Sequence, residues 1–193
     1  CFDSPVNSED FTYAGELDGH YYYTSNGVNY FDDAKLISEN SNGHLVTIAN
    51  EIENEYVLSF INQIDCERSW IGLVDEYQVG WNWSWITGEE FEYTNWASGE
   101  PNHPESEYWV QMYSSSISQE EWWGKWNDTQ SNQLTCYVLE LEEGCADESA
   151  CNYNSAANMV MYDMLTGLPI EDEDESCYYA ATCSDGSTDC SCN

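Results

Sequence analysis

The sequence has almost no positive charge. Its 193 residues include 37 Asp and Glu but only 3 Lys and Arg, which gives a formal net charge of −34. The basic side chains are Lys35, Arg68 and Lys125. Because phosphates and anionic lipid headgroups are bound mainly by Lys and Arg, this composition excludes nucleic-acid binding and attraction to an anionic membrane surface. The acids also lack partners for ion pairs, so the fold needs screening salt or bound cations.

Long apolar runs are absent as well, so the sequence contains no candidate transmembrane segment. No signal peptide is recognisable, and Cys1 as the first residue predicts that one has already been removed. The chain does contain material for a core, since 41% of its residues are hydrophobic and 15% are aromatic, whereas disordered acidic chains are poor in both. Its nine cysteines indicate an oxidising compartment. We therefore expect a folded protein that is secreted, extracellular or at the cell surface.

The distribution of cysteine predicts three parts. We expect a short lead over residues 1–17, a main domain over 18–142 and an acidic, cysteine-rich tail over 143–193. The tail is too small to fold by burial alone, so we expect disulfides to hold it together. The tail cysteines are Cys145, Cys151, Cys177, Cys183, Cys190 and Cys192.

Two helices are readable in the main domain. The first is predicted to begin at Asn29, a good N-cap residue with Asp32 three positions later. The second is predicted over Asn50–Ile64, where Asn50 and Glu53 form a capping-box pattern. The apolar residues at helical spacing are Phe31, Ala34 and Ile37 in the first helix and Ile52, Tyr56, Val57, Phe60 and Ile64 in the second.

Strand patterns with a period of two come mostly after the helices. An order of helices first and then strands, separated by long polar loops, predicts an α+β fold. The predicted strands are Tyr21–Thr24, Leu45–Ile48, Trp70–Val74, Tyr108–Tyr113 and Gln133–Leu141, with Trp81, Trp83 and Trp85 as a further alternating run.

The order of motifs through Tyr21–Leu141 resembles that of a C-type lectin-like domain. The resemblance implies two helices flanking antiparallel sheets and a long loop region. The sequence shows no catalytic constellation, since its three histidines lie near no Ser or Cys nucleophile pattern, so we expect no enzymatic activity. The matching segments are Gly43-His44-Leu45-Val46-Thr47-Ile48, Trp70-Ile71-Gly72-Leu73, Trp83-x-Trp85-x-x-Gly88, Glu100-Pro101-Asn102, Trp126-Asn127-Asp128 and Tyr137-Val138-Leu139-Glu140.

The cysteines depart from the family pattern. The positions of its two conserved disulfides hold Ser38, Leu139, Trp109 and Ser131. The cysteines well inside the domain are Cys66, after the second helix, and Cys136, on the last strand. We hypothesise a Cys66–Cys136 disulfide that ties the second helix to that strand, the alternative being two buried free thiols.

The resemblance also implies a calcium site. The site would use side-chain oxygens, which Ca²⁺ prefers, and two sugar hydroxyls would complete its coordination. A cis bond before Pro101 would turn Glu100 and Asn102 toward one point. The implied ligands of both Ca²⁺ and carbohydrate are Glu100, Asn102, Glu107, Asn127 and Asp128.

The order Glu-Pro-Asn resembles the subgroup that selects mannose, fucose or N-acetylglucosamine. The loop from Glu100 to Glu107 is one residue shorter than in the mannose-binding members, so Glu105 is an alternative to Glu107. Aromatic residues near the rim can stack on a sugar face, and Trp122, in the pair Trp122-Trp123, is the candidate. The second calcium site of the family is not expected, since Asp75 alone matches its ligands.

The remaining features have simpler interpretations. Asn82-Trp83-Ser84 is a glycosylation sequon, so Asn82 is a candidate for modification. We expect His20 to be a surface residue, His44 a structural one and His103 a loop residue. The tail segment from Gly144 to Asn154 resembles a small cysteine-rich module found in secreted proteins, of the pattern Gly-Cys-x-Asp-x-x-Ala-Cys-Asn-Tyr-Asn.

Two functions are compatible with these patterns. The first is a secreted, calcium-dependent lectin for mannose-type glycans in adhesion or glycan recognition. The second is a structural subunit of an extracellular appendage or matrix. Once Cys66 and Cys136 are paired, Cys1 is left over. Cys1 or the tail could link the chain to other copies of itself. The ligand set favours the first function, while the spare cysteine and the tail favour the second.

Overall fold

The protein has an α+β fold, seen in a computed structural model that describes residues 6–75, 77 and 80–142 and the backbone of Ala181–Thr182 and Thr188–Asp189. By its contacts the chain divides into two units, Cys1–Glu140 and Leu141–Asn193. The elements are β1 (Phe11–Leu17), β2 (His20–Ser25), α1 (Phe31–Asn40), β3 (His44–Leu45), α2 (Glu51–Ile61), β4 (Arg68–Val74), β5 (Ser84–Trp85), β6 (Trp109–Tyr113), a 3₁₀ turn (Glu120–Trp122), β7 (Trp126–Thr129), β8 (Cys136–Glu142), β9 (Ala181–Thr182) and β10 (Thr188–Asp189).

The main sheet has the strand order β1-β2-β8-β4-β6-β7. Strand β3 also pairs with β8, and β5 pairs with β4. The pairing of β4 with β8 is parallel, while β1–β2, β4–β6 and β6–β7 are antiparallel. Strands β2 and β8, which are far apart in sequence, are therefore neighbours, and β7 lies at the far edge of the sheet. In the second unit, β9 and β10 form an antiparallel pair.

Helix α1 begins later than the sequence predicts. Its N-cap is Tyr30, whose side chain makes no capping hydrogen bond, so the prediction of an Asn29 cap is wrong. The Asn29 backbone instead pairs with Thr135, where the two N–H groups donate to the opposite carbonyls at 3.0 and 3.2 Å. The Asn29 carbonyl also accepts from the Trp70 indole at 3.0 Å. These long-range contacts hold Asn29 in an extended bridge and override its capping preference.

Helix α2 begins as predicted at its cap. The Asn50 side chain accepts a hydrogen bond from the Glu53 backbone N–H at 3.0 Å. The Glu53 carboxylate reaches back to the N–H of Ala49 at 2.7 Å, one residue beyond the expected partner. The helix ends at Ile61, three residues before the predicted Ile64. Ile52 is 71% exposed, so its assignment to the buried face is wrong.

Strand β1 lies in the segment interpreted as a lead. It pairs with β2 along its length, with an irregular register between Tyr13 and Gly15. A side chain at Gly15 would collide with the Tyr56 hydroxyl of α2, which donates to the Glu16 carbonyl at 2.8 Å. The strand thus depends on a glycine where helix and sheet approach closely.

The core lies between α2 and the sheet. Its members come from β2, the segment after β3, α2 and strands β4 to β8. Trp126 of β7 belongs to this cluster and donates a hydrogen bond to Asn54 of α2, which fixes β7 against that helix. The fully or nearly buried members of the main cluster are Tyr22, Val46, Ile48, Val57, Phe60, Ile61, Ile71, Leu73, Trp85, Val110, Met112, Trp126 and Val138.

The structure contains the predicted Cys66–Cys136 disulfide, with 6.1 Å between the Cα atoms. It joins the segment after α2 to the start of β8 across 70 residues of sequence. The predicted tail cysteines and Cys1 lie outside the described residues. No helix among residues 6–75, 77 and 80–142 has the length and apolarity needed to cross a bilayer.

The predicted tryptophan strand is shorter than expected and covers only Ser84–Trp85. Trp81 has φ of 62° and is 56% exposed, whereas Trp85 is buried. The buried Asp75 carboxylate accepts from the N–H groups of Gly80 at 2.7 Å and Asn82 at 3.4 Å. The backbone at Gly80 and Asn82 is therefore tied to Asp75, and this carboxylate has a structural role.

Candidate functional site

Strand β7 carries the Trp-Asn-Asp motif, and its tryptophan is a core residue. Trp126 is fully buried, and its indole N–H donates to the Asn54 side-chain oxygen on α2 at 2.9 Å. Its ring lies edge-on to those of Trp85, Tyr93 and Trp96, with centroids 5.8, 5.6 and 5.9 Å away. Because the core holds this residue on several sides, it fixes the positions of the two polar residues that follow.

The loop before β6 runs alongside β7. Ala97 donates its N–H to the Trp126 carbonyl at 2.9 Å, and Glu100 donates its own to the Ala97 carbonyl at 3.0 Å. Gly99 has φ of 99°, a conformation that favours glycine. The Glu100–Pro101 bond is cis, as the family resemblance implies. The backbone thus brings the Glu-Pro-Asn segment to the strand that carries Asp128.

Three of the proposed ligands are joined by hydrogen bonds. The Asn102 backbone N–H donates to Asp128 Oδ1 at 2.9 Å, and the Asn102 side-chain amide donates to Glu100 Oε2. Burial and the neighbouring carboxyl of Asp128 raise the pKa of Glu100. The structure therefore brings together two motifs that lie 26 residues apart in the sequence.

Asn127 is held by a residue that the sequence did not single out. Its Oδ1 accepts from the Tyr113 hydroxyl at 2.9 Å, and its amide donates to the Asp128 carbonyl at 2.7 Å. The Tyr113 ring is stacked on that of Trp122, with centroids 5.4 Å apart and planes 29° apart. The half-buried Trp122 is thus linked to the site through Tyr113. The sequence placed Tyr113 on a predicted strand, and a strand position alone does not indicate a role in a binding site.

The structure distinguishes the two candidate glutamates of the loop. Glu107 is partly buried, and burial and then the charge of Asp128 raise the pKa of its carboxyl group. By contrast, the side chain of Glu105 is 73% exposed and lies 3.8 Å from the exposed His103 ring. The turn that separates them is closed by the Glu107 N–H, which donates to the His103 carbonyl at 3.1 Å. Glu107 therefore belongs to the same cluster as Asp128, and Glu105 points to solvent.

The carboxyl groups of the cluster repel one another. Burial, with the hydrogen bond and charge of Asp128 and the charge of Glu107, raises the pKa of Glu100 to about 7. Burial and the charge of Asp128 raise the pKa of Glu107. Burial also raises the pKa of Asp128, against the hydrogen bond from Asn102 that lowers it. Holding three carboxyl groups close together is electrostatically unfavourable, and a bound cation would offset this repulsion.

The residues present fit a calcium ion. Two buried oxygens, Asn102 Oδ1 and Asp128 Oδ2, have no hydrogen-bond partner within the part of the chain that the structure describes. Unpartnered buried oxygens are costly unless something binds them. Carboxylate and amide oxygens are the donors that Ca²⁺ prefers. Glu100, Asn102, Glu107, Asn127 and Asp128 are called the loop site below.

A family model described as the lectin C-type domain matches residues 28–140. The E-selectin of Sus scrofa is 35% identical over 138 residues, which is 67% of this chain and 27% of the selectin. The lectin BRA-3 of Megabalanus rosa is 28% identical over 128 residues, 65% of this chain and 74% of that lectin. The chain thus spans about a quarter of the length of the selectin.

Solved structures give the same picture. The cow C-type carbohydrate-recognition domain of CD23, solved in the presence of a GlcNAc2Man3 oligosaccharide, superposes with a TM-score of 0.58 at 27% identity. The match covers 72% of this chain and 98% of that domain. An EPNH mutant of the C-type lectin CEL-I of Cucumaria echinata has a TM-score of 0.57 at 27% identity, over 70% of this chain and 97% of that one.

Proposed function

Because the chain belongs to the C-type lectin domain family, we propose that it binds carbohydrate through a calcium ion held by the loop site. The two buried, unpartnered oxygens of Asn102 and Asp128 within a group of mutually repelling carboxyls carry this proposal. Membership of this family also supports the prediction that the chain is a binding protein and not an enzyme.

The bound ion would serve as a shared coordination centre for protein and sugar. Glu100, Glu107 and Asp128 supply carboxylate oxygens, and Asn102 and Asn127 supply amide oxygens without adding charge. Calcium accommodates six to eight oxygen ligands, so positions remain for sugar hydroxyls. The same carboxylates and amides then accept and donate hydrogen bonds to those hydroxyls, so the chain's own side chains orient the sugar.

We propose a mannose-type specificity, which includes fucose and N-acetylglucosamine. Residues 100–103 read Glu-Pro-Asn-His, the four letters in the description of the CEL-I mutant. The CD23 domain, which is similar in fold, was solved in the presence of an oligosaccharide of mannose and N-acetylglucosamine. Trp122, half-buried against Tyr113, is the proposed aromatic contact at the rim.

The setting that we propose is extracellular, either secreted or at the cell surface, with glycans as partners in adhesion or recognition. The Cys66–Cys136 disulfide supports an oxidising compartment. The alternative role as a structural subunit depends on Cys1 and the tail, which lie outside the described residues. Glycosylation at Asn82, an exposed residue, also stays a prediction.

A calcium titration of matched variants tests the proposal. Asp128→Asn keeps the acceptor for the Asn102 N–H but removes a buried charge, so calcium affinity should fall at least about tenfold. Glu105→Gln removes an exposed acid from the same loop and should leave the affinity unchanged. Isothermal titration calorimetry measures both, and an array of mannose-type glycans is probed with and without chelator.

Chelator-sensitive glycan binding that Asp128→Asn abolishes and Glu105→Gln preserves would support the proposal. Equal calcium affinities for the two variants would contradict the loop site. Calcium binding with no glycan bound on the array would contradict the lectin function while leaving the metal site intact.

A further inference from the structure

A second cluster of metal-ligating side chains shares no residue with the loop site. It consists of His20 at the start of β2, Glu53 in the first turn of α2 and Glu140 on β8. The candidate ligand atoms of the three residues all lie within 4.8 Å of one another. His20 Nδ1 is 2.5 Å from Glu140 Oε1, and His20 is not the plain surface residue that the sequence suggested. The three are brought together only by the fold.

Each carboxylate of this cluster is held in place by the backbone. Glu140 Oε2 accepts from the Thr47 N–H at 2.8 Å, and Glu53 Oε2 accepts from the Ala49 N–H at 2.7 Å. The remaining oxygen of each faces the cluster, where Glu53 Oε1 accepts from the Tyr22 hydroxyl at 2.8 Å. Hydrogen bonds of this kind orient metal ligands in proteins. The two carboxylates are therefore pre-positioned and need little rearrangement.

The two buried carboxylates of the cluster carry more negative charge than the single imidazole of His20 can balance. Glu53 and Glu140 are 7% and 0% exposed, and burying carboxylates is costly without compensation. Burial and the charge of Glu140 raise the pKa of Glu53, against lowering contributions from the backbone of Ala49, Tyr22 and His20. His44 Nδ1 lies 3.8 Å from Glu140 Oε2, but it is also 3.1 Å from the Leu45 carbonyl.

The basic residues of the chain are engaged elsewhere. Lys35 pairs with Glu39 at 2.8 Å, and Lys125 donates to the Asn95 side chain at 2.6 Å. The Arg68 guanidinium lies over the Tyr113 ring, 5.1 Å from its centroid. Histidine is thus the cationic or metal-binding partner that the fold provides to Glu53 and Glu140, and a divalent ion would balance both carboxylates.

An ion can reach this cluster from solvent. A cavity of about 190 Å³ is lined by His20, Tyr22, Thr47, Glu53 and Glu89 among others. The side chain of His20 is 34% exposed, so the imidazole lies at the mouth of the cavity. The cavity therefore gives solvent access to His20 and Glu53 and has room for water as a further ligand, whereas Glu140 is fully buried and does not line it.

We propose that His20, Glu53 and Glu140 bind a divalent transition-metal ion, with Zn²⁺ as the best match. One imidazole nitrogen, two carboxylates and a water supply the four ligands that Zn²⁺ takes. Calcium prefers six to eight oxygens, which makes the imidazole a poor ligand for it. Ligand atoms around tetrahedral Zn²⁺ are about 3.3 Å apart, given bonds of about 2.0 Å. Small side-chain rotations would bring the ligand atoms, which now lie within 4.8 Å of one another, to this separation. The ion would replace the hydrogen bond between His20 and Glu140.

Zinc titration of the full chain tests this proposal. Free thiols are first alkylated under non-reducing conditions, because cysteine thiolates also bind zinc. His20→Gln removes the nitrogen ligand, and His103→Gln, at an exposed loop histidine, is the matched control. We expect the wild type and His103→Gln to bind one Zn²⁺ per chain, and His20→Gln to bind it at least about tenfold more weakly. The visible spectrum of bound Co²⁺ should change in parallel.

Three results would overturn the proposal. The first is equal zinc affinity in His20→Gln and the wild type. The second is a loss of zinc binding in His103→Gln alone, which would place the ion at the loop. The third is a calcium ion that binds at Glu53 and Glu140 regardless of His20. Should His20→Gln unfold in a thermal melt, Glu53→Gln replaces it with the same expected loss. The amide oxygen of this variant accepts from the Ala49 N–H, and its NH2 group donates to the Tyr22 hydroxyl in place of the present bond.

Discussion

At the scale of single residues, Glu100 connects the loop site to pH. Its pKa is raised from 4.5 to about 7 in the calcium-free protein, by burial first and then by Asp128 and Glu107. The folded state therefore binds a proton between these values that the unfolded state releases. It follows that the calcium-free protein loses stability as pH rises through this window. Above the window the carboxylate is charged in both states and the penalty is fully present.

We predict that the melting temperature in chelator is higher near pH 5 than near pH 7.5. The substitution Glu100→Gln should reduce this difference. Saturating calcium should remove the part of the difference that is due to the loop site. Thermal denaturation followed by circular dichroism measures all three. Glu105→Gln, an exposed acid, is the control and should keep the wild-type difference. The same pH difference in Glu100→Gln would show that Glu100 is not the group responsible.

Residue-level prediction from sequence reached the loop site but not its details. The order of the motifs was enough to name Glu100, Asn102, Asn127 and Asp128 as neighbours. The choice between Glu105 and Glu107 needed the turn at His103, which no local pattern specifies. The hydrogen bond from Tyr113 to Asn127 and the cluster of His20 with Glu140 could not be predicted from the sequence, since both depend on strand pairing between distant segments.

At the scale of elements, helix α2 connects the fold to the proposed zinc site. The Asn50 side chain caps the helix by accepting a hydrogen bond from the Glu53 N–H. The Glu53 carboxylate in turn accepts hydrogen bonds from the Ala49 N–H and the Tyr22 hydroxyl. Replacing Asn50 with alanine should lower the free energy of unfolding by about 1 kcal/mol, because an N-terminal N–H loses its acceptor.

Urea denaturation at constant pH measures this loss. The control is Asn40→Ala at the exposed C-terminal end of α1, which should change stability by less than about 0.5 kcal/mol. Equal effects of the two substitutions would mean that the Asn50 cap contributes nothing specific to α2.

Elements with a local signature were predictable, and those set by tertiary contacts were not. The capping box located the start of α2 because the interaction spans three residues. Strand β1 was missed because its alternation breaks at the irregular register beside Gly15, a residue that strands usually disfavour. The Asn29 cap failed because pairing with Thr135 outweighs a weak local preference. Ile52 fits helical spacing but is exposed in the part of the chain that the structure describes.

At the scale of the whole molecule, the net charge of −34 dominates. The loop site accounts for three of the acids and the proposed zinc site for two, so most of the repulsion remains diffuse. We predict that moving from low salt to about 0.5 M NaCl raises the melting temperature, because screening shortens the range of repulsion. Each kcal/mol gained corresponds to about 2–4 °C for a domain of this size.

Calcium chloride at the same ionic strength should raise the melting temperature further in the wild type, since a ligand that binds the folded state stabilises it. Differential scanning calorimetry of the wild type and Asp128→Asn separates the two effects. Asp128→Asn should retain the sodium effect and lose the extra calcium effect. An equal calcium increment in both proteins would assign that increment to diffuse binding.

The neighbouring position of β2 and β8 has a mechanical consequence. A pulling force applied at Phe11 and Glu142 enters through β1 and β8, which lie on either side of β2 in the sheet. Strand β7, which carries Asp128, lies beyond β4 and β6 at the opposite edge, and the Cys66–Cys136 bond clamps the start of β8 to the segment leading into β4. Tension therefore loads β1, β2 and β8 directly, whereas it reaches β7 only through β4 and β6.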